Sequence, residues 1–300
     1  MTNVEKMLSD KKRWGRVAKE AEGRRKKLLS FGPHATGILV RTEQGLFVVD
    51  PEDAYVSQAL LQRGVYNPSE YDLAKSFVTK RGNVLVVGAH IGTHAIALSR
   101  DCRRLVAIEA NPYTFEFLKA NILLNECSNI ETHNIAAGER RRKIEFLVNR
   151  ANSGGSKRGP LKEAKAAYVY DKPETIKIDA VPLDSLLGAR SFDLILMDIE
   201  GSEYFALKGM QGMLARTKAL SVEFLPHLLR YASGVTPGQL LSVIQPHFDW
   251  LYIPESNTIV RKEDMAETLN AMYQSDEGHD GVYFLKNPLP KRLLKLNGPQ

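Results

Sequence analysis

The sequence predicts an α/β protein built on a mostly parallel sheet with helices on both faces, and three observations predict it. Residues 83–94, Asn-Val-Leu-Val-Val-Gly-Ala-His-Ile-Gly-Thr-His, read as a buried strand, a tight glycine turn and the first turn of a helix. A second apolar strand, Arg104–Ile108, ends in a carboxylate, Glu109, 21 residues after Gly88. Strand 83–87, helix 93–100, strand 104–108 and helix 112–125 alternate, and the rhythm resumes with strand 192–198 and helix 202–215.

Each element follows from its local pattern. Residues 3–29 repeat Val4, Met7, Leu8, Trp14, Val17, Ala18 and Ala21 at helical spacing between charges. Residues 37–50 read as two short strands around Glu43-Gln-Gly. A helix is expected at Ala54–Gln62, then a loop from Gly64, then a helix from about Glu70 to Thr79 capped by Ser69. A third sheet strand lies near Ile130–Ile135. Lys143–Val148 and Glu174–Asp179 alternate like strands, with a mobile segment expected at Asn149–Pro160 between them. Strand 218–224, a helix at Pro237–Ile244, strand Trp250–Pro254, a helix at about Glu263–Tyr273 and strand Gly281–Leu285 complete the chain.

Composition narrows the function classes. At 300 residues, 43% hydrophobic and 25% charged, the chain has the make-up of an ordinary globular protein. No apolar run reaches the roughly 18 residues of a membrane span. The N-terminus lacks the apolar core of a secretory signal, and Cys102 and Cys127 form no disulfide framework or metal-ligand spacing, so a cytoplasmic setting is expected. Residues 1–30 hold ten Lys/Arg against four acids, which equals the whole net charge of +6; Lys286, Lys291, Arg292 and Lys295 make the C-terminal tail basic too. The positive charge thus belongs to an appendage, and a nucleic acid is not the expected partner of the body. A solvated helix packed on the body is the plain reading of residues 3–29.

The strand–glycine turn–helix–strand–acid layout is that of a half-Rossmann unit that binds a nucleoside. A dinucleotide fingerprint would need glycine at His90 and Thr93, and no Gly-Lys-Ser/Thr phosphate loop is present. Gly88-Ala-His-Ile-Gly92 with Glu109 suits a cofactor with one nucleoside and no pyrophosphate, of which S-adenosylmethionine is the common one.

Several motifs share an order. Gly88–Gly92, Ile108-Glu-Ala-Asn-Pro112, Leu183-Asp-Ser-Leu-Leu187, Met197-Asp-Ile-Glu-Gly-Ser-Glu203, Leu207-Lys-Gly209 and Val222-Glu-Phe-Leu-Pro-His227 together resemble FkbM-type methyltransferases over about residues 64–285. The resemblance implies a Rossmann-like class I methyltransferase fold: a seven-stranded, mostly parallel sheet with an antiparallel last strand. It implies an N-terminal extension at 1–72 and a methyltransferase domain at 73–300 with a hairpin and loop insertion at about 139–180. It also implies O-methylation of a sugar, lipid or secondary metabolite. Gly88, Ala89, His90, Gly92, Glu109, Ala110 and Asn111 would surround the cofactor, with Ala136 against its adenine. Ser153–Ser156 resembles a loop that many members carry near the acceptor. Val86 departs from the family pattern, which has an acid there to order the loop at the methionine end; Asp198 could serve the same amino group.

Asp198, Glu200, Glu223 and His227 are expected at the C-terminal edge of strands four and five, where open α/β sheets place ligands. Asp198 could hold the cofactor's amino group or the acceptor. Glu200, Glu223 or His227 could take a proton from an acceptor hydroxyl. No metal site is expected: His90 and His94 lack a zinc motif's context, and the carboxylates lack identifiable further ligands. Two other functions stay open: N- or carboxyl-methylation of a macromolecule recruited by the basic N-terminus, and a binding protein that retains the fold without the chemistry.

Overall fold

The computed structural model describes residues 2–289; Lys291, Arg292 and Lys295 lie outside them. An eight-stranded sheet forms the centre, built from β1 (Asn83–Val87), β2 (Arg104–Ile108), β3 (Ile130–His133), β4 (Leu194–Met197), β5 (Ala219–Phe224), β6 (Trp250–Ile253), β7 (Thr258–Arg261) and β8 (His279–Leu285). Their spatial order is β7-β6-β8-β5-β4-β1-β2-β3. Strands β1 to β5 run parallel, and β8 is antiparallel to both β5 and β6. This is the expected class with one strand added: β7, Thr-Ile-Val-Arg, extends the β6 edge antiparallel.

Helices cover both faces, so the central strands are mostly continuous apolar runs rather than strict alternations of apolar and polar residues. Leu85, Val87, Val106, Ile108, Ile195, Met197, Leu220 and Val222 enter one core. Val84, Val86, Leu105, Ala107, Leu194, Leu196 and Ala219 enter the other. The segment 136–181 forms a second sheet. Glu174–Val181 pairs antiparallel with Arg142–Val148 and parallel with Ala136–Ala137, and Lys157–Arg158 pairs with Arg142–Val148.

Four local expectations are corrected. The segment 149–160 is a built connection: Asp171 accepts from Asn149 Nδ2 at 2.7 Å and from the N–H groups of Arg150 and Ala151 at 2.7 and 3.0 Å. The helix at 3–29 breaks at Asp10, whose carboxylate accepts from Lys12 and Arg13 N–H at 3.0 Å and so starts a second helix. The helix expected from Glu70 begins at Pro68 behind Asn67, so Ser69 lies inside it and caps nothing. Helix 202–215 is two pieces, Glu203–Lys208 and Gln211–Leu214.

Residues 2–29 rest on the body through Leu8, which joins Tyr168, Leu228 and Ala232 in an apolar cluster. Arg24 Nε donates to Pro51 O at 2.7 Å. The remaining face of helix Lys11–Leu29 exposes Lys11, Lys12, Arg13, Arg16, Lys19, Arg25, Lys26 and Lys27. Among the described residues no helix is long and apolar enough to cross a membrane.

Two asparagines fasten the hairpin Ile38–Val49 to the main domain. Helical neighbours four residues apart and strand residues two apart repeat at similar distances, so two amides on one helix face can each engage a strand residue. Asn121 accepts from Val48 N–H at 2.6 Å and donates to Val48 O at 3.1 Å and Ile91 O at 2.9 Å. Asn125 accepts from Leu46 N–H at 3.1 Å and donates to Leu46 O at 2.7 Å. Asn121 is fully buried, so Asn121→Ala leaves backbone groups without partners and is expected to cost on the order of 2–4 kcal/mol. Denaturant unfolding checks this; a loss below 1 kcal/mol, about that of one exposed hydrogen bond, contradicts it.

Candidate active site

At the C-terminal edge of the main sheet the strand order reverses between β1 and β4, and a cleft opens there as expected for such a switch point. Its wall includes Gly88, Ala89, His90, Glu109, Ala110, Ala136, Asp198, Glu200 and Glu223. Nine of the twelve expected site residues line this cleft; Gly92, Asn111 and His227 stand outside its wall.

The turn after β1 is set by backbone contact. Gly88 has φ +89°, and a Cβ on it would lie 1.8 Å from the carbonyl oxygen of Asp198. Only glycine passes there. The N–H groups of Gly88 and Ala89 both donate to Ile108 O at 2.9 Å, which pulls the turn over the end of β2. His90 takes φ +51°, and its N–H donates to Glu109 Oε2 at 2.8 Å. Asn111 N–H donates to Glu109 Oε1 at 2.8 Å, and Asn111 Oδ1 caps the next helix through Tyr113 N–H at 3.0 Å. Asn111 therefore positions Glu109 from behind. Gly92 begins helix Thr93–Ser99 with φ +97°, where a Cβ would meet Leu118 at 2.8 Å.

Each Glu109 oxygen thus takes one backbone N–H and keeps acceptor capacity for a pair of vicinal hydroxyls. Burial pushes its pKa up to about 7, against the pull of those N–H groups.

His90 Nε2 lies 2.7 Å from Ser153 Oγ, and Ser153 N–H donates to Asp53 at 3.2 Å. The segment 149–160 is tied to the glycine turn in this way, a link no local pattern in the sequence signals. Burial lowers the His90 pKa, opposed by Asp53, which favours a neutral ring whose buried Nδ1 has no hydrogen-bond partner.

Across the cleft stand Asp198, Glu200 and Glu223. Glu203 Oε1 accepts from Ile199 N–H at 3.0 Å and Gly201 N–H at 3.3 Å, fixing the loop after β4. Asp198 opens onto the cleft, so water there reaches it, while protein encloses the remaining directions. This poor solvation, with Glu200 and Glu70 near, raises its pKa well above the usual carboxylate range. Glu223 is buried, and its pKa is likewise raised by burial and then by Asp198 and Glu200. Lys157 Nζ lies 3.4 Å from Glu200 Oε2, and the lysine is only 4% exposed. A buried lysine opposite the Asp-x-Glu motif escaped the sequence reading, because nothing near Lys157 in the chain marks it.

His227 turns away: its Nδ1 lies 2.7 Å from Tyr168 Oη, and burial with the neighbouring Lys157 charge pushes its pKa down to about 4. Val86 is buried on the cleft wall and offers no acid to the glycine turn.

A profile of the methyltransferase FkbM domain matches residues 87–245, just over half of the chain. The chain belongs to the FkbM methyltransferase family. With the family comes its cofactor, S-adenosylmethionine, and the residues present fit that group: Glu109 for ribose hydroxyls, Ile135, Ala136 and Ala137 as a small apolar wall for a base, and Asp198 for an amino group.

Three solved structures resemble this FkbM chain. The FkbM methyltransferase of Methylobacillus flagellatus KT is 17% identical over 77% of this chain and 55% of that one, with a TM-score of 0.37. Trm5b of Pyrococcus abyssi is 14% identical over 72% and 47%, with a TM-score of 0.39. TYW2 of M. jannaschii, in complex with AdoMet, is 16% identical over 63% and 62%, with a TM-score of 0.37. The chain thus spans from 47% to 62% of these proteins' lengths. No curated protein matches it.

Two outcomes follow. Glu109→Ala is expected to weaken S-adenosylhomocysteine by about 1.5–3 kcal/mol in calorimetry, the worth of a charge-assisted hydrogen-bonding group. Hydroxyl donors favour the ionised acid, so wild-type affinity should fall as pH drops through about 7, and Glu109→Gln should flatten that dependence. A pH-independent wild-type affinity contradicts this role.

Proposed function

We propose that the protein transfers a methyl group from S-adenosylmethionine to a hydroxyl oxygen of a sugar, glycolipid or secondary metabolite. The observation that supports this reading is a single cleft in which a ribose-type acid, Glu109, faces a second group of carboxylates, Asp198, Glu200 and Glu223. When bound, the cofactor supplies an electrophilic methyl on a sulfonium. The chain's own residues have three tasks. Glu109 and the Gly88–His90 turn hold the nucleoside end. Asp198 holds the amino group or the acceptor. The carboxylate group orients the hydroxyl in line with the methyl and receives its proton as the new C–O bond forms.

Carboxylates with raised pKa values suit that last task. Their pKa values are raised above that of an exposed acid, so once ionised they take a proton more readily, and they become ionised at higher pH. His227 is a weaker candidate, given its low basicity and its Tyr168 partner.

The exposed basic face of helix Lys11–Leu29 favours a second reading, methylation of an anionic macromolecule recruited there. Removing residues 1–30 should leave transfer to a small hydroxylated acceptor unchanged under the first reading, and should abolish low-salt acceptor binding under the second.

Incubating enzyme and cofactor with fractionated extract, then searching by mass spectrometry for a gain of about 14 Da, identifies the acceptor; gains confined to protein or nucleic acid would overturn the first reading. Once the acceptor is in hand, Glu223→Gln is expected to lower kcat by about 10²-fold or more with S-adenosylhomocysteine affinity retained. Unchanged kcat would remove Glu223 from the reaction.

A further inference from the structure

Asp198, Glu200 and Glu223 bring three carboxyl groups together at one place in the cleft. One carboxylate oxygen from each residue lies within 4.8 Å of the others. The Lys157 ammonium lies 3.4 Å from Glu200 Oε2 and pairs with that one of the three. Glu203, also close, is occupied by the Ile199 and Gly201 N–H groups and adds a further acid. Glu70 and Asp280 line the same cleft as further acids, and Arg142 and Arg158 line it as cations.

A second observation is independent of that crowding. Glu223 is 8% exposed, and its Oε2 atom, fully shielded from solvent, has no hydrogen-bond partner. A buried carboxylate oxygen left unbonded costs free energy unless something occupies it. A neighbouring donor would normally fill that position, and here none bonds to it.

The spacing suits a metal. Hard divalent cations bind oxygens at about 2.0–2.6 Å, so two ligands on opposite sides of one ion stand at most about 4–5 Å apart. Three oxygens within 4.8 Å of one another can therefore share one ion with little side-chain movement. Each carboxylate would give one oxygen and retain the other, and waters or acceptor oxygens would complete the six to eight positions such ions prefer.

We propose that Asp198, Glu200 and Glu223 form a binding site for one hard divalent cation, of the Mg²⁺, Mn²⁺ or Ca²⁺ class, on the acceptor side of the cleft. The sequence pointed the other way, because the three ligands come from two separate strand ends and their convergence is a product of the fold. The site's existence is independent of the reaction proposed above. Its use there, to hold an acceptor oxygen beside the methyl donor, rests on that reading.

The test is titration of metal-stripped, full-length protein with Mn²⁺, with free Mn²⁺ read by electron paramagnetic resonance. Calorimetry with S-adenosylhomocysteine on the same sample reports the cofactor half of the cleft separately. One saturable Mn²⁺ site is expected, weakened at least ten-fold in Glu223→Gln and in Glu200→Gln. Glu200 is partly exposed, so its variant should fold even where Glu223→Gln does not; thermal melting of both checks this. No saturable site below about 1 mM, or a site that both folded variants retain at wild-type affinity, overturns the proposal. Absence of the Mn²⁺ site with intact S-adenosylhomocysteine binding would remove the metal and leave the methyltransferase reading standing.

Discussion

The arrangement depends first on a close backbone passage: Gly88, at the end of β1, runs against the carbonyl of Asp198, at the end of β4. Asp198 N–H donates to Val87 O at 3.1 Å, so the two strand ends are bonded as well as packed. Because β1 and β4 are neighbours whose onward connections leave in opposite directions along the sheet, this junction is where a crevice must open. The glycine turn and the Asp-x-Glu-Gly loop line its two sides. Any side chain at position 88 would push them apart.

Around that junction the chain spends polar contacts on fixing acids. Asn111 and His90 hold Glu109 through backbone N–H groups, Glu203 holds the loop that carries Asp198 and Glu200, and Lys157 stands beside Glu200. Burial of several carboxylates in one cleft is destabilising on its own. Clefts that hold like charges out of water are where ligands and protons are exchanged, so this electrostatic tension is itself an argument for function.

The central sheet was legible because its strands, buried on both faces, are continuous apolar runs between glycine and acid punctuation. Glu109 and Asp198 were legible for the same reason: each directly follows an apolar strand. What stayed hidden is non-local. Lys157 meets Glu200 and Ser153 meets His90 across gaps in the chain that no periodicity spans. Asn121 and Asn125 bond hairpin residues Val48 and Leu46 across more than seventy residues of chain, a pairing that no local pattern marks. Strand β7 is short and only partly buried, so the alternation that betrays a strand is weak there. His227 lies off the cleft wall because position after a strand does not set direction, and its ring faces Tyr168.

The claim at the centre is that one cleft joins a nucleoside-holding acid to a facing group of carboxylates. A crystal structure with S-adenosylhomocysteine tests it most directly. Ribose hydroxyls are expected on the two Glu109 oxygens, the base beside Ala136, and the homocysteine end toward Asp198. A ligand bound elsewhere, or one whose ribose leaves Glu109 untouched, would contradict it.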